Sequence, residues 1–258
     1  MILKGRTISG GKAKGEVVKI DEPLSFLGGV DGATGEIRVG NGGNVAGRIL
    51  VFPKGKGSTV GSFVMYDLMV HGKAPAAVIN ESAETIVATG AVISSIPMVD
   101  RIPTIDIFRD GDVVSVDADE GVVEIEGVEL KEAVSSAIMM NDKVLMLKRP
   151  DSCRSFPGRW SLVAGKIEAG ETPVEAARRE IFEETSIDVG TPDAALRPIY
   201  VREDAVLWKV HPFLYRTNMA KPVINDENEG FQWASVEDIG GMNTVPETEY
   251  AVNELLRK

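Results

Sequence analysis

The segment GKIEAGETPVEAARREIFEETSI, residues 165–187, constrains the chain more than any other. It holds six glutamates and two adjacent arginines in twenty-three residues. Thr172, Pro173 and Glu175 make a helix start: the threonine caps, the proline suits the first turn and the glutamate completes a capping box. The helix then runs to about Ser186. Within it Glu180, Glu183 and Glu184 stand at i, i+3 and i+4, so they share one face and destabilise the helix unless neutralised. A hard divalent cation, taking oxygen ligands, reverses that sign. The bland alternative is a solvated, glutamate-rich surface. Ala177 and Ile181 lie on another face, placed to pack against a sheet.

A chain of 258 residues is one large or two modest domains. No stretch approaches the ~20 apolar residues that span a bilayer, which predicts no membrane contact. The opening MILKGRTISGGKAKG has no signal-peptide-like apolar run, so a cytoplasmic location is expected. One cysteine, Cys153, excludes an internal disulfide framework and a self-contained cysteine-ligated cluster. Net charge is −11, with 12 basic and 18 acidic residues before position 131 and 16 and 21 from there on. Both halves are mildly acidic and neither carries a basic stripe, which argues against nucleic acid as a partner.

The two halves differ in pattern. In 1–130, "RILVF" (48–52) and "PAAVI" (75–79) read as buried strands, each leading into a helix, near 58–71 and 82–95. "TIDIF" (104–108) and "DVVSVDADEGVVEIE" (112–126) read as further strands, the last two joined around Glu120-Gly121. The pattern restarts with "SSAIMMNDKVLMLKR" (135–149), a hairpin turning near Asn141-Asp142. Two domains are expected, 1–130 and 131–258, with the boundary near 128–133.

Gly165, Glu171, Arg179-Glu180-Ile181, Glu183-Glu184 and Ile187 together resemble the Nudix box. Only Ser186 departs from it, where the family has glycine; the departure touches the helix stop rather than the glutamates. "FPGRWSLVAGKIEAGE" (156–171) is similar to the strand and loop entering that box, and "FQWASVEDI" (231–239) to a late strand and turn. The resemblance covers roughly 131–258. It implies an α/β/α sandwich that hydrolyses a small-molecule diphosphate with Mg²⁺ or Mn²⁺. It also implies that Glu180, Glu183 and Glu184 hold metal with the carbonyl of Gly165, while Arg179, paired with Glu171, orients a glutamate. The general base is a box glutamate, Glu227 or Glu229; the last two read equally well as solvated turn acids. His211, on a strand in "WKVHPFLY", reads as structural. Trp160 and Trp208 read first as core, with stacking on a ligand as the alternative.

In the first half, "VFPKGKGSTVGSF" (51–63) joins a strand to a helix, where backbone N–H groups can meet an anion. It lacks the P-loop pattern; Gly55, Gly57 and Gly61 only approach the dinucleotide fingerprint, with Glu81 after the next strand. Alone it reads as a tight turn. With "PLSFLGGVDGATGEI" (23–37) and "KAPAAVINESAETIVATGAVISSIPMV" (73–99), it resembles the small subunit, or swivelling domain, of aconitase X proteins, more like the archaeal members that dehydrate mevalonate 5-phosphate than the hydroxyproline-type members. The fold implied is a swivelling β/β/α domain. The resemblance further implies that Ser58 is a general base facing a [4Fe-4S] cluster supplied by a separate large subunit, with Gly55 and Gly57 beside the substrate. Ser58 as a plain helix cap is the competing reading, and Ser62 an assistant of low weight.

The chain thus reads as two α/β domains, a dehydratase small subunit fused to a Nudix hydrolase. The alternative makes the first half a non-catalytic binding or regulatory module on a nucleoside-diphosphate-type hydrolase. Prenyl diphosphates are one candidate substrate class for the hydrolase, nucleotides the other.

Overall fold

The β-branched runs of the first half assemble into a mixed sheet. In a computed structural model, which describes residues 1–219 and 221–258, this sheet belongs to one unit, Met1–Glu129, and a second unit comprises Leu130–Lys258. The first unit contains β1 (Ile2–Lys4), β2 (Arg6–Ser9), β3 (Lys12–Lys19), β4 (Ile49–Lys54), β5 (Ala77–Ser82), β6 (Met98–Asp100), β7 (Val113–Asp117) and β8 (Val122–Ile125). Their order across the sheet is β1-β8-β7-β3-β4-β5-β6-β2. The centre, β3 to β6, is parallel; β7, β8 and β1 continue it antiparallel on one side and β2 on the other. β3 joins both parts, pairing with β7 through residues 12–16 and with β4 through residues 17–19.

Central parallel strands are buried on both faces and read as continuous apolar runs. In β4 and β5, Leu50, Phe52 and Val78 face a core closed by Met65, Leu68, Val87 and Ala91 of two helices, α2 (Val60–Val70) and α3 (Thr85–Ile93). A four-residue turn, α1 (Phe26–Gly29), adds Phe26, whose ring meets Phe52 edge-on at 6.0 Å. Ile49, Val51 and Ile79, which point the other way, are also fully buried.

The segment "TIDIF" is not a strand. Ile105–Ile107 form a 3-10 turn, entered by a Thr104 hydroxyl that accepts the Asp106 N–H, while Glu81 accepts the Ile105 N–H at 2.7 Å. Ile105, Ile107 and Phe108 are buried, so the apolar run belongs to the core but its local hydrogen bonding is that of a turn.

The second unit has a sheet in the order β11-β10-β9-β15-β13, made by β9 (Glu129–Met140), β10 (Lys143–Lys148), β11 (Trp160–Ser161), β13 (Ala194–Ala195) and β15 (Val206–Arg216). β12 (Val163–Lys166) pairs with β9, β14 (Ile199–Glu203) with β15 and β16 (Gly230–Ser235) with β10. The hairpin at Asn141-Asp142 keeps only two residue pairs; beyond them β9 pairs with β12 and β10 with β11, while β16 runs along the whole of β10. Both faces are covered. Leu145 and Leu147 meet Ala176, Ala177 and Ile181 of α4 (Pro173–Thr185). Val144 and Met146 meet Ile239 of α5 (Val236–Ile239) and Val252 and Leu255 of α6 (Thr248–Leu256). Period-two alternation along one apolar strand therefore fills two separate cores.

Candidate functional site

α4 begins as a capping box. The Thr172 hydroxyl accepts the Glu175 N–H, and the Glu175 carboxylate accepts the Thr172 N–H at 2.8 Å. With Ala176, Ala177 and Ile181 fixed on the sheet, the arginine and glutamates are carried off the core. Arg179 Nε and Nη2 donate to the two oxygens of Glu171 at 2.7 and 3.0 Å, a bidentate pair. Its Nη1 donates to Glu180 (2.8 Å) and Glu183 (3.2 Å), and Nη2 also reaches the Lys166 carbonyl (2.9 Å). These Arg179 bonds, with the Glu168 N–H, hold the Glu171 carboxyl down to about 2.

Glu184 points elsewhere and is 5% exposed. One oxygen accepts the Ala164 N–H (3.2 Å), the other the Asn228 amide (2.8 Å). Burial pushes its carboxyl up to about 7 against those two bonds, helped by repulsion from Glu180 and Glu227. Burial likewise raises Glu180 despite Arg179, and Glu183 and Glu227 add to the rise. Four carboxylates thus share one neighbourhood. Gly165 is part of it: a Cβ there would lie 1.8 Å from the Glu180 carboxyl carbon, so only glycine permits this approach.

The donors suit an oxygen-seeking divalent cation by type, and the glycine cradle fits the Glu180 carboxylate into place. They are not gathered as a cage: among the described residues no group of three or more Asp, Glu, His or Cys side chains is disposed to hold a metal ion. Arg179 engages Glu180 and Glu183, while Ala164 and Asn228 engage Glu184. Of the two loop acids, Glu227 is coupled to the cluster; Glu229 is pinned by its backbone N–H to the Lys148 carbonyl and its side chain is exposed. His211 sits 2.8 Å from Glu132, which also pairs with Lys209. Sequence reasoning passed over Asn228 and the Ala164 N–H. Asn228 lies in the same "NDENEG" loop as the two acids, the only signal it gave.

A cleft of about 650 Å³ adjoins this neighbourhood within the second unit. Ala164, Gly165 and Lys166 form one edge; β14 and β15 form a wall that includes Trp208. Trp208 is therefore half-buried in a cleft rather than in the core, whereas Trp160 packs against the core of the α5–α6 face, with Lys148 5.5 Å above its ring.

In the first unit, β4 leads through residues 55–59 into α2. Gly55 is buried, where a Cβ would stand 2.6 Å from both Glu84 and Val87; Gly57 has φ +104. Ser58 is exposed. Its hydroxyl oxygen accepts the Val60 N–H (3.3 Å) and its carbonyl the Gly61 N–H. Ser62 is buried and donates to the Thr59 carbonyl. Glu84 caps α3 through the Ile86 and Val87 N–H groups, and Glu81 is committed to the turn at Ile105. Ser58 and the glutamate cluster belong to separate units.

Comparison with known proteins follows the same division. Residues 2–125 match the aconitase X swivel domain and residues 130–255 match the NUDIX domain. The phosphomevalonate dehydratase small subunit of Thermococcus onnurineus is 55% identical over 130 residues, 49% of this chain and 99% of that protein. The crystal structure of Thermococcus kodakaraensis aconitase X, holo-form, is similar at 56% identity over 48% of this chain and 98% of its own, with a TM-score of 0.47. A MutT protein from Methanosarcina mazei is similar at 25% identity over 50% of this chain and 95% of its own, with a TM-score of 0.44. No helix of the described residues is long and apolar enough to cross a membrane. The chain therefore belongs to the phosphomevalonate dehydratase small-subunit family through an aconitase X swivel domain in its first half, to which a NUDIX domain is fused in the second.

Proposed function

We propose that the second unit hydrolyses a diphosphate linkage of a small molecule with Mg²⁺ or Mn²⁺. The first unit serves as the small subunit of a phosphomevalonate dehydratase completed by a separate large subunit. One observation carries the hydrolase reading: Glu180, Glu183, Glu184 and Glu227 press on one another beside a cleft, next to a glycine with no room for a side chain. Glu180, Glu183 and Glu184, with the Gly165 carbonyl, would hold the cation. When bound, a divalent ion screens the diphosphate, polarises phosphorus and activates water. Arg179 orients two of these glutamates and is itself oriented by Glu171. Glu227, coupled to the cluster while its own side chain is exposed, is the better placed of the two loop acids to take a proton from water.

For the first unit, Ser58 is the proposed base toward the substrate carbon. The Val60 N–H on its oxygen is a donor that would stabilise an alkoxide, though one such bond supplies only part of what is needed. A [4Fe-4S] cluster, which would be held by the large subunit, would supply Lewis acidity toward the leaving hydroxyl.

The test is phosphate or monophosphate release by the full chain with Mg²⁺, across prenyl, nucleoside and sugar-linked diphosphates, beside Glu183→Gln. Loss of a ligand carboxylate is expected to lower the rate about a hundredfold or more with the fold intact by circular dichroism. A variant as fast as the parent would remove the glutamate cluster from the chemistry.

A further inference from the structure

We propose that the cleft beside the glutamate cluster takes an aliphatic diphosphate, an alkyl or alkenyl chain, and that Trp208 is the surface on which the chain lies, held in place by Glu203. The inference rests on the hydrolase reading above and names the substrate class of that same site.

Three consecutive same-face pairs of the β14–β15 hairpin all line the cleft: Ile199 with Val210, Val201 with Trp208, and Glu203 with Val206. Side chains two apart on a strand share a face, so these six form one continuous ribbon. All six are half-buried, neither sealed in a core nor fully in water. Five of the six are apolar, and the indole sits in the middle.

The sixth, Glu203, would repel a diphosphate if it stood alone. It is instead engaged twice: one oxygen accepts the Trp208 indole N–H at 3.2 Å and the Ser155 hydroxyl at 3.0 Å. The carboxylate thus fixes the indole and ties the 150–156 loop to the ribbon. Arg149 Nε holds the same loop by the Ser155 carbonyl (3.1 Å). That loop brings Phe156 to the cleft in a left-handed backbone (φ +51), a conformation that a bulky residue adopts only when its surroundings impose it. Two aromatic rings from different elements therefore face the cavity.

The polar lining points the same way. A nucleobase is read by side chains that match its edge, and a site built for such an edge discriminates strongly through it. Among the described residues lining the cleft there is no Asn, Gln or His, and the carboxylate nearest the indole is committed. The cations Arg154 and Lys166 line the cleft, and Lys166 follows the Gly165 cradle directly. Phosphates at the Gly165–Lys166 edge and an aliphatic chain along the ribbon match these two parts of the lining, while Asp204 and Glu247 line it away from the ribbon pairs.

The experiment uses the full chain with Mg²⁺ and compares geranyl, isopentenyl and methyl diphosphate with dGTP and ADP-ribose. Each buried methylene strengthens binding by roughly fourfold, so geranyl diphosphate should show a KM at least about tenfold below that of isopentenyl diphosphate. Trp208→Ala should raise the KM for geranyl diphosphate about tenfold or more with kcat little changed, while methyl diphosphate, which has no chain to lay on the ribbon, is hydrolysed as before. Trp208→Phe should restore most of the loss, and Glu203→Gln should give a smaller rise in KM than Trp208→Ala. Nucleotides turned over with kcat/KM well above any aliphatic diphosphate would overturn the proposal and leave the hydrolase reading standing. If nothing is turned over, the hydrolase reading fails and calorimetry decides the cleft: geranyl diphosphate binding that Trp208→Ala abolishes supports the ribbon, and no binding, or binding indifferent to Trp208, overturns it.

Discussion

At the box of the second unit Arg179 makes five hydrogen bonds, four of them to three carboxylates, and Glu184 is fixed at both oxygens. At the glycine loop of the first unit, the exposed Ser58 side chain makes one, to the Val60 N–H two residues away. The first arrangement is positioned by its own chain before any substrate arrives. The second places an exposed hydroxyl on a loop, positioned by a single bond to its own backbone. The contrast fits the functions proposed above: a site arranged within its own polypeptide for the NUDIX domain, and one left open on its loop in the swivel domain.

The sharpest way to break the contrast is Ser58→Ala. In the complex reconstituted with a large subunit, a general base should be worth roughly 10²- to 10⁴-fold in the dehydration rate. The isolated chain should change by less than about 0.5 kcal/mol in denaturant unfolding, because the Val60 N–H that loses its partner is open to water. An unchanged dehydration rate would reduce the serine to a helix-start bond and favour the reading of the first unit as a non-catalytic module. Next in size is Arg179→Ala. Residues that orient ligands rather than bind them cost about 10- to 100-fold in metal affinity or activity when removed. The expected signature is hydrolysis that demands more Mg²⁺, and a thermal midpoint that recovers as Mg²⁺ is added. A variant with the parent's Mg²⁺ dependence would show that the five bonds are structural only.

How much of this was legible follows from whether the information was local. The start of α4 was, since Thr172, Pro173 and Glu175 satisfy one another within four residues. The Glu171–Arg179 brace came from the family resemblance, and the structure gives it as a bidentate pair. The partners of Glu184 were not legible, because Ala164 and Asn228 lie 20 and 44 residues away and only folding brings them together. "TIDIF" misled because alternating apolar residues look alike in a strand and in a buried 3-10 turn; the Thr104 hydroxyl on the Asp106 N–H and Glu81 on the Ile105 N–H hold it as a turn. The cleft wall was invisible for a related reason. In "IYVRE" and "VLWKV" every residue but Leu207 is half-buried, so neither a core nor a solvent pattern stands out.

The first unit is not loosely held throughout, and Asp100 shows it. This carboxylate is 1% exposed and accepts Arg6 Nε (2.9 Å), Arg6 Nη2 (2.7 Å) and the Ala83 N–H (3.0 Å). Burial alone would raise its carboxyl; the Arg6 and Ala83 bonds outweigh burial and hold it below the usual range. A depressed folded-state value means stability that is present above about pH 4 and lost as pH falls through the folded-state value. Asp100→Asn should cost about 2 kcal/mol at neutral pH and flatten the acid limb of the stability profile. An acid limb identical to the parent's would show that this pair does not set the domain's acid sensitivity.

The smallest effect concerns the one place where the box departs from its family. Ser186 closes α4 in a left-handed conformation, φ +57 and ψ +18, with its N–H on the Phe182 carbonyl. That geometry costs an L-residue about 1 kcal/mol or more, and glycine adopts it freely. Glycine also adds freedom to the unfolded chain, which takes back part of the gain. Ser186→Gly should therefore stabilise the second unit by about 0.5 kcal/mol, read as a shift in denaturant midpoint at constant slope, with hydrolysis unchanged. The serine is tolerated because the backbone bond that ends the helix does not depend on the side chain, and because Ile181, Ile187 and Val189 bury the segment on either side. A loss of stability in the glycine variant would mean that the Ser186 side chain contributes more than its backbone conformation costs.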